Sequence, residues 1–323
     1  MADVTVIGAG VCGLWAALAL QEAGFVPRLL DRVGPPGPHG CSWWAGGMLA
    51  PHCEGATAEP TVVRHGQTAA AAWASVTTVV RRGSLVVALD REQGDLAAFG
   101  ARTSGHRLLD RDALRALEPD LAPRSPALFF PDEAHLDPRR ALADLVETLA
   151  RRGISIERKG VEPEEVKGPV VDARGLAAGL PGLRGVRGEM LVLHAPEIEL
   201  QRPIRLLHSR HPLYIVPRGD GRFMLGATQI ESADRRRISA RSMLELLSAA
   251  WALDPRFAEA EVVETGVDLR PAFPDHLPRG IARGRVLHLN GLFRHGFLLA
   301  PALGRQAADY LANGHRGELI HED

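Results

Sequence analysis

The sequence predicts an α/β protein made of two interwoven domains, and three observations predict it. A strand, a glycine turn, a helix and a second strand open the chain from Val4 to Asp31. A mostly strand-forming region runs from Val186 to Arg270. Segments of α/β character return in the middle of the chain and again at its end. The opening βαβ unit is Rossmann-like, and the later strands suit an antiparallel sheet. The expected division gives residues 1–82, 132–185 and 271–323 to a discontinuous nucleotide-binding domain. Residues 83–131 and 186–270 form the second, strand-rich domain.

The elements follow in order. Val4 to Ile7 reads as a strand, about Gly13 to Ala23 as a helix, and Arg28 to Asp31 as the next strand. "RVGPPGPHG" then breaks regular structure. One helix is expected from about Glu59 to Arg81, and short strands with a helix from Ser84 to Pro131. Asp110 is an N-cap for "DRDALRAL". "LDPRRALADLVETLARRG" is a helix capped by Asp137, with Pro138 in its first turn and Gly153 past its end. "ISIE" and "GPVVDARG" read as strands. "PLYIVPRGDGRFMLGAT" is a hairpin around Gly-Asp-Gly, and a helix interrupts the strands near Ser239 to Ala252. "RVLHLN", the turn "GLFRHG" and a final helix close the chain.

Composition bounds the function. The chain has 323 residues, 46% hydrophobic and 24% charged, enough apolar content for a sizeable core. A net charge of −1 gives no reason to expect nucleic acid or an anionic membrane as partner. Three cysteines cannot complete a disulfide framework, and no histidine spacing suits a metal. Without a leader-like start or an apolar run near about 18 residues, the expected location is the cytoplasm. The triplet Arg235 to Arg237 reads as a solvated loop.

Gly8-Ala9-Gly10-Val11-Cys12-Gly13 is a GxGxxG between a strand and a helix, with Asp31 at the end of the next strand. Gly8 permits the turn, Gly10 lets a pyrophosphate approach the backbone, and Gly13 lets the helix pack on the strand. The helix N-terminus offers N–H groups and positive dipole to phosphates. Asp31 suits the ribose hydroxyls, and Arg32 beside it joins the cofactor-binding set. The motif alone does not separate FAD from NAD. "CSWWAGGMLAPHCE" (Cys41 to Glu54) favours FAD, because its small residues can lie flat against a large planar ring. Gly46 and Gly47 would let backbone N–H groups approach it.

"VTVIGAGVCGLWAALAL", "SWWAGGMLAPHCE", "LYIVPRGDGRFMLGAT", "GVDLRPAFPD" and "LFRHGFLLAPALG" together resemble the glycine oxidases of thiamine biosynthesis. Those belong to the D-amino acid oxidase/sarcosine oxidase group of flavoenzymes. The resemblance implies FAD and a substrate roof of antiparallel sheet. It also implies oxidation of a small amine or amino acid to the imine. Oxygen is the implied electron acceptor and hydrogen peroxide the implied product. Non-covalent FAD and a homo-oligomer are implied as well.

By match to the family motifs, Arg270 should fork onto the substrate carboxylate. Tyr214 should assist it, and Arg294 should sit near flavin and substrate. Ser42 matches a pyrophosphate ligand. Ala45, Gly46, Gly47 and Met48 run along the flavin ring, and Val161 and Gly175 frame the adenosine side. Gly296, Phe297 and Leu298 open a helix whose N-terminus can face the flavin carbonyl.

Two departures stand out. The segment Ile154 to Gly175 is short, so a hairpin beside the adenine is trimmed. Trp43 and Trp44 stand where family members often have small residues. His52, Glu54 and Gln229 are further candidates for the pocket or its entrance. Two other functions stay open at this level: a dehydrogenase that passes electrons to a carrier, and a non-catalytic flavin binder.

Overall fold

The computed structural model describes residues 2–89, 92–121, 126–208 and 212–322. β1 (Asp3–Ile7) leads through the glycine turn into α1 (Val11–Glu22) and β2 (Val26–Asp31). α1 starts at Val11, ahead of the expected Gly13, and is buried from Val11 to Leu20. A helix apolar on all sides must be enclosed by its neighbours. A 3-10 turn (Cys41–Trp44), β3 (Met48–Leu49) and α2 (Pro51–Glu54) follow.

The single helix expected from Glu59 to Arg81 is two shorter ones, α3 (Pro60–Gly66) and α4 (Ala69–Ala74). Gly66 is pressed against Leu298, where an added Cβ would lie 2.9 Å from that side chain. Glycine is a weak helix former, and the first helix ends there. Beyond Val76 the β-branched run leaves helix, and Val80 bridges to His135.

Next come β4 (Ser84–Ala88), α5 (Gln93–Arg102), β5 (Arg107–Leu109), α6 (Arg111–Leu117), β6 (Ala127–Phe130) and β7 (Ala134–His135). Asp110 caps α6 by accepting from the Ala113 N–H at 2.9 Å. α7 (Pro138–Arg151) begins with Asp137 accepting from the N–H groups of Arg139 and Arg140. Between β8 (Ile156–Arg158) and β9 (Val170–Asp172) there is a 3-10 turn at Pro163–Glu165, and no hairpin among the described residues.

β10 (Arg184–His194), β11 (Ile204–Leu207), β12 (Leu213–Gly219) and β13 (Arg222–Gly226) follow, then α8 (Ala240–Leu253) and β14 (Glu261–Ala272). Gly219, Asp220 and Gly221 turn the β12–β13 hairpin with φ of 80°, 48° and 66°, a conformation that favours Gly and tolerates Asp. β15 (Arg279–Arg283), β16 (Val286–Asn290), α9 (Gly296–Asn313) and β17 (Ile320–Glu322) end the chain.

Two large sheets organise these strands. The seven-stranded sheet has the order β17-β15-β16-β9-β1-β2-β8, parallel except for the β15–β16 hairpin. α1, α7 and α9 share its core with Leu14, Trp15, Leu145, Leu299 and Leu303. The eight-stranded sheet has the order β14-β10-β13-β12-β11-β4-β6-β5. It is antiparallel apart from the parallel pair β11–β4, and α8 packs on its core. The C-terminal ends of β1, β2 and β9 face the other sheet across a cavity. Ligands bind at such strand ends in open α/β sheets.

Candidate active site

A cavity of about 460 Å³ runs from Asp31, Arg32, Lys159 and Glu165 past the glycine turn to Tyr214, Arg270 and Arg294. Most of the expected site residues line it: Gly8, Gly10, Asp31, Arg32, Ser42, Ala45, Gly46, Val161, Gly175, Tyr214, Arg270, Arg294, Gly296 and Phe297. Gly13, Gly47, Met48 and Leu298 do not. Gly13 closes α1 onto β1, where a Cβ would sit 1.8 Å from the Gly8 carbonyl oxygen. Gly47 has φ 71°, and a Cβ there would lie 2.2 Å from the Leu136 carbonyl oxygen, so chain packing requires glycine at that position. Met48 pairs with His135 in β3–β7. Gln229 and His52 also lie outside the lining.

Backbone builds the end near Asp31. Gly8 packs on β9, where a Cβ would lie 2.6 Å from the Ala173 carbonyl oxygen. Gly10 is different: only Ser42 Oγ, at 3.6 Å, would lie within 4 Å of its Cβ. Its open face lets a ligand reach the start of α1. Ser42 Oγ accepts from the Val11 N–H at 3.2 Å. Asp31 Oδ2 accepts from Ala9 N–H at 2.9 Å, and Oδ1 from Val33 and Gly34 at 2.8 and 3.1 Å. The carboxylate therefore fastens the glycine turn to the loop after β2. With about four acceptor positions it keeps capacity for a hydroxyl.

The N-terminus of α9 enters the cavity farther along, with Gly296 and Phe297 in its wall. Trp73 fixes that turn by donating from Nε1 to the Phe297 carbonyl at 2.7 Å. It also stacks on the Phe297 ring at 5.2 Å. An α-helix N-terminus carries partial positive charge and favours negative charge before it.

Side chains build the opposite end. Arg270, on β14, donates from Nη1 to the Thr228 carbonyl at 3.0 Å. Its guanidinium lies over Gly188, where a Cβ would come within 2.2 Å of Cζ. Among the described residues it has no ion-pair partner. Burial lowers its pKa, with Tyr214 and Cys41 opposing. Tyr214 is packed between Gly46 and Gly226, each of which would place a Cβ 2.8 Å from it. Arg235 pairs with the half-exposed edge of this end through Asp268 at 2.6 Å, so it is less free than the expected solvated loop.

Trp43 and Trp44 now have directions. Both line the cavity, and the Arg139 guanidinium lies 4.8 and 5.3 Å from their ring centres. Arg139 continues to Glu264 at 2.8 Å. Trp44 Nε1 donates to the Pro38 carbonyl at 3.1 Å, and its ring fills the space over Gly266. Trp43 Nε1 is buried with no hydrogen-bond partner among the described residues.

Two groups escaped the sequence reading. Arg218 donates to the carbonyls of Leu136 at 3.0 Å, Gly46 at 2.8 Å and Ala45 at 3.4 Å. It thus clamps the loop in front of β3, and burial draws its pKa down to about 10. Tyr214 and Arg218 alternate onto one face of β12, a period-two signal that could have found it.

The second is Arg205, which meets Glu54, a residue expected at the pocket or its entrance that lies outside the cavity lining. Glu54 Oε1 lies 2.7 Å from Arg205 Nη2. Its Oε2 lies 2.8 Å from Arg294 Nη2 and 3.6 Å from His295 Nδ1. Burial raises the Glu54 pKa, but Arg205, Arg294 and His295 outweigh it and hold the group at about 2. Burial, aided by both arginines and opposed by Glu54, holds His295 at about 4. Nearby, the buried Glu133 accepts from the Cys53 N–H at 2.7 Å and from the Ser84 hydroxyl. These contacts join α2, β4, β11 and the start of α9, which are far apart in sequence.

The cavity fits FAD. Its length carries a helix start left open at Gly10, a small-residue stretch and a second helix N-terminus in series. Among the described residues, no group of three or more acids, histidines or cysteines could hold a metal ion. The three cysteines are free.

Comparisons with known proteins agree. The family described as DAO, FAD dependent oxidoreductase, matches residues 3–310. A Rhizobium etli protein, provisionally named thiamine biosynthesis oxidoreductase ThiO, is 53% identical over 94% of this chain and 95% of its own. A glycine oxidase of Bacillus licheniformis is 26% identical over 96% of this chain and 92% of its own. The crystal structure of glycine oxidase from Geobacillus kaustophilus superposes with a TM-score of 0.81 at 24% identity, covering 99% of this chain and 97% of that one. Its likeness shows the shared fold. With the family matched across nearly the whole length and the cavity shaped for its cofactor, the chain belongs to the DAO family of FAD-dependent oxidoreductases.

Proposed function

We propose that this chain oxidises the amine of glycine, or of a similarly small amine or amino acid, to the imine. The reaction passes electrons to oxygen and yields hydrogen peroxide. The single observation that carries the reading is Arg270: a half-buried guanidinium in the FAD cavity, beside Tyr214, without an ion-pair partner among the described residues. A partly desolvated cation without a counter-ion is a receptor for one, and its planar fork suits a carboxylate. The second support is the name of the R. etli relative, which places that protein in thiamine biosynthesis. The imine of glycine would serve formation of the thiazole.

Arg270 holds the carboxylate and Tyr214 donates its hydroxyl to the same group. The α-carbon is thereby fixed toward the small-residue stretch at Ala45 and Gly46. FAD held there would supply the hydride acceptor for that carbon. The α9 N-terminus at Gly296 and Phe297 stabilises negative charge in front of it. Gly8, Gly10, Asp31, Arg32, Ser42, Val161 and Gly175 hold the nucleotide half.

The two sheets correspond to two domains in this reading. Residues 1–82, 132–185 and 271–323 carry the cofactor, and 83–131 and 186–270 roof the substrate. We place the enzyme in the cytoplasm as a homo-oligomer. Among the described residues, no helix is long and apolar enough to cross a membrane.

The test is anaerobic. The oxidised flavin bands of the purified holoenzyme should bleach on addition of glycine, and peroxide should appear when air is readmitted. Bands unchanged by glycine, sarcosine and D-alanine would overturn the reading. Bleaching without peroxide would turn it into a dehydrogenase.

A further inference from the structure

Three arginines line the end of the cavity around Tyr214: Arg235, Arg270 and Arg294. Two of them carry a dedicated acid. Arg235 lies 2.6 Å from Asp268. Arg294 lies 2.8 Å from Glu54 and donates to Thr57 Oγ1 at 2.6 Å. Arg270 alone has none among the described residues, and Arg294 stands close enough to help lower its pKa. His295 adds no charge near neutral pH. Glu54 is therefore not idle behind the site. It decides whether Arg294 is available to an acid in the cavity.

We propose that Glu54 is a specificity-determining residue: by occupying the Arg294 guanidinium it leaves Arg270 as the one free anion receptor at this end, and the site accepts amines with one carboxylate while rejecting those with two. The proposal rests on the reading that Arg270 takes the substrate carboxylate. A second carboxylate entering the site finds the neighbouring guanidiniums of Arg235 and Arg294 already paired and meets the Asp268 carboxylate in the cavity wall, which repels it. Discrimination then comes from a repulsive element placed next to an attractive one.

Glu54 is shared. On its other side it pairs with Arg205, which lies on β11 outside the cavity lining. Replacing Glu54 by Gln removes the charge and keeps a hydrogen-bonding group of the same size. Arg294 is then released while Arg205 stays in the field of Glu133, which contributes to its raised pKa. Thr57 is exposed, so Thr57→Val loosens the same clamp without touching the core.

The experiment titrates holoenzyme with acetate and with malonate, reading the shift of the flavin absorption bands. Glycine and iminodiacetate turnover are measured in parallel. Wild type should bind acetate in preference to malonate. Glu54→Gln should tighten malonate by about tenfold or more, the effect of one charged hydrogen bond, and leave acetate within about twofold. Glu54→Asp should keep the wild-type ratio, and Thr57→Val should move it a smaller step toward malonate. Iminodiacetate turnover should rise in Glu54→Gln relative to glycine.

Equal tightening of both acids would overturn the proposal, because it would show a general field effect. An unchanged acetate-to-malonate ratio in both Glu54→Gln and Thr57→Val would overturn it too. If Glu54→Gln does not fold, Thr57→Val decides alone. The acid titrations need no turnover. A wild type that ignores glycine yet prefers acetate would therefore sink the proposed substrate and spare the proposed role of Glu54.

Discussion

At the Asp31 end of the cavity the contacts are made by backbone, with Gly8 and Gly13 pressed to within van der Waals distance of carbonyl oxygens. At the Arg270 end they are made by side chains, with Glu54, Asp268, Arg205, Arg235 and Arg294 paired around one guanidinium that has no ion-pair partner among the described residues. The first end is a matter of space and the second a matter of charge. Space is set where the glycine turn packs on itself and on Ala173, and it fails abruptly when filled. Charge is set by residues from five or more segments and can be changed in steps.

The largest effect should come from filling the space. Gly13→Ala places a methyl group 1.8 Å from the Gly8 carbonyl oxygen. Overpacking costs about 1–3 kcal/mol and occasionally more, and backbone cannot swing aside as a side chain can. The expected result is loss of bound FAD together with stability lowered by roughly 3 kcal/mol, read by flavin content and urea unfolding. A variant that keeps full flavin content would erase the contrast between the two ends.

Removing charge should act more locally. Arg270→Ala should weaken substrate binding by about tenfold or more, since a charged hydrogen bond contributes roughly 1.5–3 kcal/mol. Flavin content should stay normal, because Arg270 packs over Gly188 and not against the glycine turn. Loss of flavin in this variant would mean that the two ends are one cooperative unit.

The smallest effect separates the ends by pH. His295 is held at about 4 in the folded state, against 6.5 without the fold. As pH falls, the unfolded chain takes up that proton first. Stability should therefore decline from about pH 6.5 to 4, and this contribution should not change further below. Glu54, held at about 2 against 4.5, contributes stability that is complete above about 4.5 and lost as pH falls through 2. His295→Asn should flatten the melting-temperature profile between pH 6.5 and 4 only. A profile unchanged by that substitution would remove His295 from the charged cluster.

The same division explains what was legible in the sequence. Gly8, Gly10, Gly13, Asp31 and the helix caps Asp110 and Asp137 all act over a few residues, or within one βαβ unit, so spacing revealed them. Arg270 and Tyr214 became visible only through a match to family motifs, because nothing local marks a half-buried arginine as free. Arg205 and Arg218 stayed unread, and Glu54 was read only as a candidate for the pocket or its entrance. Their roles depend on strands that meet only in the folded sheet, such as β11 with β12. The long helix expected from Glu59 to Arg81 failed for a related reason: the break at Gly66 answers to Leu298, more than two hundred positions away.

Three glycines around the substrate end leave room for a particular neighbour. Gly46 makes space for the Tyr214 ring, Gly188 for the Arg270 guanidinium, and Gly266 for the indole of Trp44. Each space is already filled, so no single enlargement is neutral there. In a lineage descended from this chain, the members of each pair should change together or not at all. Trp44 and Gly266 are then one inherited character, and a relative with a small residue at the first position is free to carry a larger one at the second.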